Sequence, residues 1–384
     1  MVLKNKFFVL CSILLPILFL VCFCPGLRAQ NSSIPPTVGL SFVGDVMAHD
    51  SNYKTEDFSH IYRSIKPLLE KTELNFANLE FVIDEQRPYS TYPVFNVRAE
   101  YVNAVSDAGF NTFSLANNHS ADFGLAGVRA TEKSSHRLRR ESPGLTFSGL
   151  RPAGQGPDSF VMESIRHRGR NIGFTAISIL SNSHKGIGAV QYIRPDDDIL
   201  LNSFYRWLAG QRPNYDLVIV SVHGGVEYQP EPSARKRGIM RRIARNGADI
   251  IWGHHPHVQQ PWEVFTHNSS KQHRWSLIMY SQGNFISAQT IRTKPNKPQG
   301  FWAATGDSVL LQVQLAWTAT GLELRGLKPL LLTTIRLRPR GFAVTPMENA
   351  AAEMRSQGYD GWDNFYAQRQ RALEQRVAQW PQIP

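Results

Sequence analysis

The chain is poor in cysteine. All three cysteines (Cys11, Cys22 and Cys24) lie near its start, and none occurs from Gln30 onward in a sequence of 384 residues. A disulfide framework is therefore excluded for the remainder, and so is a zinc site built on thiolates. Any transition-metal site must use the side chains of His, Asp, Glu or Asn.

Charged residues are also few, at 19%, whereas hydrophobic residues reach 42%, which is typical of a globular protein. The net charge is +11, and three of these positive charges lie in the first 29 residues, which leaves +8 for the rest. Such a basic surface favours an anionic polymer or a membrane as partner, although an ordinary solvated surface is equally compatible with it. No stretch of interleaved aromatic and basic residues resembles a nucleic-acid module, so nucleic acid is not expected as a partner.

Residues 1–29 have the features of an export signal. Lys4 and Lys6 precede an uncharged apolar run from Phe7 to Phe23, and Ala29 offers a small residue for cleavage. An uncleaved membrane anchor is the alternative, because the run is close to the shortest length that spans a bilayer. We therefore predict an exported protein that is periplasmic, at the cell surface or membrane-anchored.

Apolar strands and amphipathic helices alternate along the rest of the chain. This pattern predicts an α/β fold with largely parallel or mixed sheets covered on both faces. Strands are expected at 37–43, 74–79, 112–116, 171–180, 216–222, 248–252 and 277–281, and helices at 59–70, 101–108, 127–140, 199–209, 233–246 and 368–379. One domain is expected at 37–345, in which 306–345 form a strand meander and second sheet, followed by a helical tail at 346–384.

Six of the predicted strands end at polar motifs, and ligand sites in α/β folds form at the carboxyl ends of strands. Six of the chain's 12 histidines fall in these motifs. Turn chemistry alone would explain their glycines and asparagines but not this concentration of imidazoles. The motifs are Gly44-Asp45 with His49, Asn78-Leu79-Glu80, Asn117-Asn118-His119 with Asp122, His223 with Glu227-Tyr228, Gly253-His254-His255-Pro256-His257 and Gly283-Asn284.

These side chains indicate a metal site. A Glu80 at a buried strand end costs free energy unless it is paired or bound to metal. His255 and His257 are two residues apart and would share one side of an extended backbone, with His254 on the other. Mixed imidazole, amide and carboxylate ligands suit Mn, Fe or Zn. Beside them, His119 could donate a proton and Asp122 could orient its imidazole.

Simpler interpretations of single motifs remain open. His49 could be a surface histidine, Glu80 a carboxylate at the rim and His223 a core histidine. Asn284 could belong to an ordinary strand-to-loop turn. The metal prediction therefore depends on all six motifs meeting in space.

The motifs of Asn118-His119, His223 and His255-Pro256-His257 resemble the signatures of calcineurin-like metallophosphoesterases. The fuller set, over about residues 38–290, resembles the poly-γ-glutamate capsule synthesis family of the CapA type. The resemblance implies a four-layer αββα sandwich with mixed sheets.

The resemblance also implies roles for individual residues. One ion would be held by Asp45, His49, Glu80 and His257, and a second by Glu80, Asn118, His223 and His255. His119 would be the acid, and residues toward the substrate would include Asn78, His254, Glu227, Tyr228 and Asn284. The sequence departs from the phosphoesterase pattern in two places. Asp45 and His49 are four residues apart, and Glu80 stands where that pattern has Asp. The number of divalent ions, one or two, therefore remains open.

The predicted function is an exported metal-dependent hydrolase of capsule biosynthesis, in which metal-activated water attacks a phosphoryl or amide centre of an anionic envelope substrate. One alternative is a non-catalytic component that binds or exports polymer within a membrane capsule-synthesis complex. Another is a phosphatase or nucleotidase unrelated to capsule, acting on a phosphoester.

Overall fold

The structure is a computed structural model that describes residues 37–55, 57–269, 272–339 and 341–383. The predicted export signal at residues 1–29 lies outside these ranges. Within them, none of the helices combines the length and the apolar character needed to cross a membrane.

Strands dominate the described part of the chain. In chain order they are β1 (Thr37–Val46), β2 (Leu74–Leu79), β3 (Val82–Ile83), β4 (Asn96–Val97), β5 (Thr112–Ser114), β6 (Thr146–Ser148), β7 (Glu163–His167), β8 (Arg170–Ser178), β9 (Leu217–His223), β10 (Ile250–His254), β11 (Trp262–Ser269), β12 (Gln272–Met279), β13 (Asn284–Ile286), β14 (Asp307–Thr318), β15 (Gly321–Arg336) and β16 (Phe342–Pro346).

Helices connect these strands and close the chain. They are α1 (Asp50–Tyr53), α2 (Ser59–Tyr62), α3 (Lys66–Leu69), α4 (Ala99–Asp107), α5 (Gly124–Glu141), α6 (Asp198–Gln211), α7 (Ala234–Arg245), α8 (Phe301–Ala304), α9 (Ala350–Ser356) and α10 (Asp363–Val377). Single 3₁₀ turns occur at Ile187–Ala189, Arg212–Asn214, Gln289–Arg292 and Met347–Asn349.

Two mixed sheets carry the fold. The first has the order β16-β15-β14-β1-β2-β5-β6, with β13 also pairing with β1, and the second has the order β11-β12-β10-β9-β8-β7. In the first sheet, parallel pairing joins β1, β2, β5 and β6, and antiparallel pairing joins β1 to β14, β14 to β15 and β15 to β16. In the second sheet, parallel pairing joins β8, β9, β10 and β12, and the outer strands β7 and β11 are antiparallel to β8 and β12.

Three hydrophobic clusters define four layers. Side chains such as Phe42 and Phe76 of the first sheet pack against Phe174 and Trp252 of the second, and this cluster fills the space between the sheets. The outer face of the first sheet packs against α2 to α4, and the outer face of the second packs against α6 and α7. The predicted α/β sandwich of the αββα type, with mixed sheets, is therefore confirmed.

The C-terminal strands differ from the prediction of a separate second sheet. Strand β14 pairs antiparallel with β1 over Thr37 to Phe42, so β14, β15 and β16 extend the first sheet. Strand β15 also runs without a break through Pro329, although proline is rare inside strands. Pro329 pairs with Leu311 of β14, and the pairing of β15 with β16 begins only at Leu332. One side of β15 at Pro329 therefore has no neighbouring strand among the described residues, and a proline is tolerated there.

The single helix predicted at 59–70 is two short helices, α2 and α3. Pro67 lies in the first turn of α3, and its ring and missing N–H prevent a helix from continuing through it. Several short elements were not predicted from the sequence at all, among them β6, β7 and β11. The expected terminal helix exists but begins earlier, at Asp363.

The carboxyl ends of the parallel strands of both sheets lie at the same edge of the sandwich. Strand β1 passes directly beside the loop before β13, where Asp45 N donates to Gly283 O at 3.0 Å. A β-carbon on Gly44 would lie 1.8 Å from that same Gly283 oxygen. The close approach of two backbones, rather than an unusual φ angle, therefore requires glycine at position 44.

We predict that Gly44→Ala lowers the free energy of unfolding by about 1–3 kcal/mol, because the added methyl overpacks this contact. The matched control is Gly238→Ala in α7, where a β-carbon meets no atom within 4 Å. That change should stabilise the protein by up to about 1 kcal/mol through helix propensity. Urea denaturation measures both, and equal effects of the two substitutions would contradict this account of Gly44.

Candidate metal centre

Glu80 lies just past the end of β2 at the centre of the site. Its side chain is fully buried, and neither carboxylate oxygen has a hydrogen-bond partner among the described residues. Burial raises the pKa of Glu80 well above its usual range, and the nearby charges of Asp45 and Glu227 raise it further. A carboxylate in such surroundings is costly unless it is neutral or binds a cation.

Imidazoles and a second carboxylate surround Glu80 in two overlapping groups. Glu80, His255 and His257 form one group, and Asp45, Glu80 and His223 form the other. In each group one ligand atom per residue lies within 4.8 Å of the others, and all five residues are buried. The described structure therefore contains His, Asp and Glu groupings able to bind divalent metal ions, with Glu80 common to both.

Asp45 near the end of β1 is the second carboxylate. Its Oδ1 accepts a hydrogen bond from Asn78 Nδ2 at 2.8 Å, and its Oδ2 lies 3.4 Å from His257 Nδ1. Burial raises the pKa of Asp45, but the imidazoles of His254 and His257 outweigh that effect and hold it well below its usual range. The surroundings therefore shift the pKa values of the two buried carboxyl groups in opposite directions, favouring the ionised form of Asp45 and the neutral form of Glu80.

His223, the last residue of β9, faces the same space. Its Nε2 lies 2.7 Å from Asn118 Oδ1 and 4.0 Å from Glu80 Oε1, and its Nδ1 lies 3.3 Å from Asn78 Nδ2. Burial lowers the pKa of His223 well below its usual range, which keeps the ring in the neutral form that binds metals. The amide oxygen of Asn118 is thus placed beside the second group of donors.

The backbone after β10 is sharply turned. His255 has φ of 91° and His257 has φ of 58°, so these residues are not in the extended conformation that the sequence analysis assumed. Left-handed backbone is uncommon for histidine and persists only where contacts impose it. Here His255 N donates to Asp45 Oδ2 at 3.3 Å and Lys236 Nζ donates to His254 O at 3.0 Å, which directs both ligand imidazoles toward Glu80.

Three of the predicted substrate-binding residues lie behind the ligands instead of at the opening. Asn284 Oδ1 lies 2.9 Å from His257 Nδ1, which leaves His257 Nε2 available for a cation. His254 is fully buried with its ring 4.1 Å from that of Trp252, and Asn78 bridges Asp45 and His223. These contacts orient ligands, as partners of metal-binding side chains do.

His49 stands apart from both groups of donors. Its Nδ1 accepts a hydrogen bond from Ala288 N at 3.3 Å, and its ring packs edge-on against Phe95 at 5.2 Å. Burial, together with the nearby imidazoles of His257 and His119, lowers the pKa of His49 to about 4. Because His49 is four residues after Asp45, it lies beyond the end of β1, at the N-cap of α1.

A separate pair, His119 and Asp122, borders the donor groups. His119 Nδ1 lies 2.8 Å from Asp122 Oδ2, which also accepts a hydrogen bond from Phe95 N at 2.7 Å. The other ring nitrogen, His119 Nε2, lies 3.3 Å from Asn182 Nδ2. Asn182 was not predicted from the sequence, although it follows the end of β8, where the position of a polar residue at a strand end could have indicated it.

Glu227 and Tyr228 lie at the opening of the site. Glu227 is exposed, and the Tyr228 ring lies 6.2 Å from that of His257. Burial, together with the nearby Glu227, raises the pKa of Tyr228 to about 12. Of the residues predicted to face substrate, these two are positioned to do so.

Comparison with known proteins agrees with the resemblance noted above. The model of the family described as bacterial capsule synthesis protein PGA_cap matches residues 39–289. A capsule biosynthesis protein CapA of Bacillus anthracis is 26% identical over 342 residues, covering 83% of this chain and 75% of that protein. A PGA biosynthesis protein CapA of Bacillus subtilis (strain 168) is 26% identical over 335 residues, covering 80% and 77%.

Solved structures give a weaker likeness. The crystal structure of a hypothetical protein from Thermus thermophilus covers 76% of this chain and 98% of its own, with 17% sequence identity and a TM-score of 0.43.

We predict that Mn²⁺ binding near neutral pH releases about one proton, because neutral Glu80 must ionise whereas His223 and His255 are already neutral. Metal affinity should therefore rise with pH. Calorimetric titration in buffers of different ionisation enthalpy measures the proton release.

Glu80→Gln tests the assignment. It should abolish the proton release and the Mn²⁺-induced rise in melting temperature, while stabilising the metal-free protein at alkaline pH, where the buried carboxylate would otherwise have to ionise. Glu70→Gln, at an exposed glutamate, is the control and should change neither. Unaltered proton release in Glu80→Gln would contradict the assignment.

Proposed function

The chain belongs to the bacterial capsule synthesis protein family PGA_cap, and on this premise we propose that it is a metal-dependent hydrolase acting on an anionic polymer of the cell envelope. The family and its relatives support a part in capsule biosynthesis. The observation that carries the hydrolase proposal is the buried, unpaired Glu80, shared by two groups of donors next to the His119–Asp122 pair.

The donor set fits a borderline divalent ion such as Mn, Fe or Zn. It combines the carboxylates Asp45 and Glu80 with three imidazoles, and the Asn118 oxygen lies beside His223. When bound, such an ion supplies a Lewis acid that polarises the substrate oxygen and lowers the pKa of water.

His119 is suited to act as general acid. Asp122 accepts a hydrogen bond from His119 Nδ1 at 2.8 Å, which fixes the orientation of the ring and turns Nε2 away from Asp122. The proton on Nε2 can then pass to the leaving oxygen or nitrogen of the broken bond. In the structure Asn182 Nδ2 donates to this nitrogen at 3.3 Å, so Asn182 must turn its amide or move away when Nε2 carries the proton.

Export places such an enzyme next to its substrate. The predicted signal or anchor at residues 1–29 would carry the chain out of the cytoplasm, to the periplasm, the cell surface or the outer face of a membrane. The net positive charge of the sequence would then favour approach of an anionic polymer, poly-γ-glutamate among them.

A non-catalytic polymer-binding or export component of a membrane synthesis complex is the second candidate. The positive charge supports it, and so does the position of His49 outside both donor groups. Under this proposal metal binding would stabilise the fold, and polymer would bind without being cleaved.

We predict that His119→Ala lowers kcat about 10²- to 10⁴-fold on poly-γ-glutamate or on a dialkyl phosphodiester with Mn²⁺, because the amine or alkoxide leaving group of either substrate needs the proton of the general acid. Metal uptake should be unchanged, since His119 belongs to neither donor group. His136→Ala, at an exposed histidine of α5, is the control. Wild-type protein that takes up Mn²⁺ and binds polymer but hydrolyses neither substrate would favour the non-catalytic candidate.

A further inference from the structure

A strip of aromatic side chains leads from the metal centre to the surface. The Tyr228 ring, next to that of His257, lies 5.0 Å from Phe301 and 5.7 Å from Trp302. The rings of Phe301 and Trp302 are 4.3 Å apart, and Phe301 is 45% exposed. Exposed aromatic side chains grouped at the opening of a site provide a surface for a ligand.

Arg292 ends the strip. Its guanidinium carbon lies 4.7 Å from the centre of the Trp302 ring, in a cation–π contact. Arg292 is exposed, and within the described parts of the chain no ion pair or hydrogen bond engages its guanidinium. The indole holds the planar cation in place while its N–H donors stay free, which is the form that binds an oxyanion through paired hydrogen bonds.

The two ends of the strip differ in charge. Glu227 lies beside Tyr228 at the inner end, where its charge adds to the effect of burial in raising the pKa of that phenol. An anionic group would be repelled there and attracted to Arg292 at the outer end. Between them, the aromatic rings suit the uncharged part of a chain-like ligand.

We propose that Arg292, Trp302 and Tyr228 form a subsite that binds an oxyanion group of the substrate away from the bond that is broken. The inference rests on the proposed function for the identity of the reacting centre. A carboxylate and a phosphate share the required chemistry. Arg292 is accordingly a residue that determines substrate specificity and takes no part in bond cleavage.

The experiment measures binding of two probes to the Mn²⁺-loaded protein by calorimetry. One probe is a γ-linked glutamate tetramer, which carries carboxylates, and the other is a glycerol phosphate tetramer. Arg292→Gln should weaken binding of at least one probe about 10- to 100-fold, because charge-assisted hydrogen bonds are lost. The probe that is affected identifies the oxyanion.

Three further variants sharpen the result. Arg292→Lys should weaken binding less than Arg292→Gln, since it keeps the charge but not the planar fork. Trp302→Leu should weaken it because the guanidinium is no longer held. Arg206→Gln, at an exposed arginine of α6, is the matched control and should leave both affinities unchanged.

The possible outcomes test the proposed subsite and the proposed hydrolase activity separately. Equal affinities in Arg292→Gln and Arg206→Gln, or no binding of either probe by wild type, would overturn the subsite, even if Mn²⁺-dependent hydrolysis is present. Binding that depends on Arg292 in a protein without hydrolytic activity would support the subsite and overturn the proposed reaction. Mn²⁺ uptake is measured in every variant and should not change.

Discussion

A buried carboxyl group without a partner is the constraint on which the site depends. Glu80 is enclosed by the ends of several strands, and no hydrogen bond from the described residues satisfies it. The imidazoles near Asp45 and the hydrogen bond from Asn78 favour its ionised form, whereas burial favours the neutral form of Glu80. A cation shared by both would remove the desolvation cost of Glu80 and bind the imidazoles of His223 and His255, whose lowered pKa values favour the neutral form.

The site exists only when the two sheets are packed together. The first sheet supplies Asp45 and Glu80, and the second supplies His223, His255 and His257. Trp252 joins them near the site, because its Nε1 donates to Val43 O at 2.9 Å across the interface. Metal binding is thereby linked to the packing of the whole sandwich, and a bound ion should stabilise the fold as well as serve chemistry.

The sequence was most informative where polar side chains able to bind a metal directly follow a predicted strand. Apolar runs followed by Asp45, Glu80 and His223 predicted both the parallel strands and their meeting point, because carboxyl ends of parallel strands share an edge. It was less informative about backbone turns: nothing in the histidine spacing reveals the positive φ of His255 and His257. The pairing of distant strands could not be predicted either. Strand β14, which begins at Asp307, pairs antiparallel with β1, and no local sequence pattern specifies this partner.

The central claim is that Glu80 is a metal ligand shared by two sets of donors. Anomalous diffraction from crystals grown with Mn²⁺ tests it most directly. The account predicts an anomalous peak within coordination distance, about 2.0–2.3 Å, of a Glu80 oxygen and of imidazoles from His223 or from His255 and His257. Crystals that show no peak at Glu80, with its carboxyl group hydrogen-bonded to ordered water instead, would contradict it.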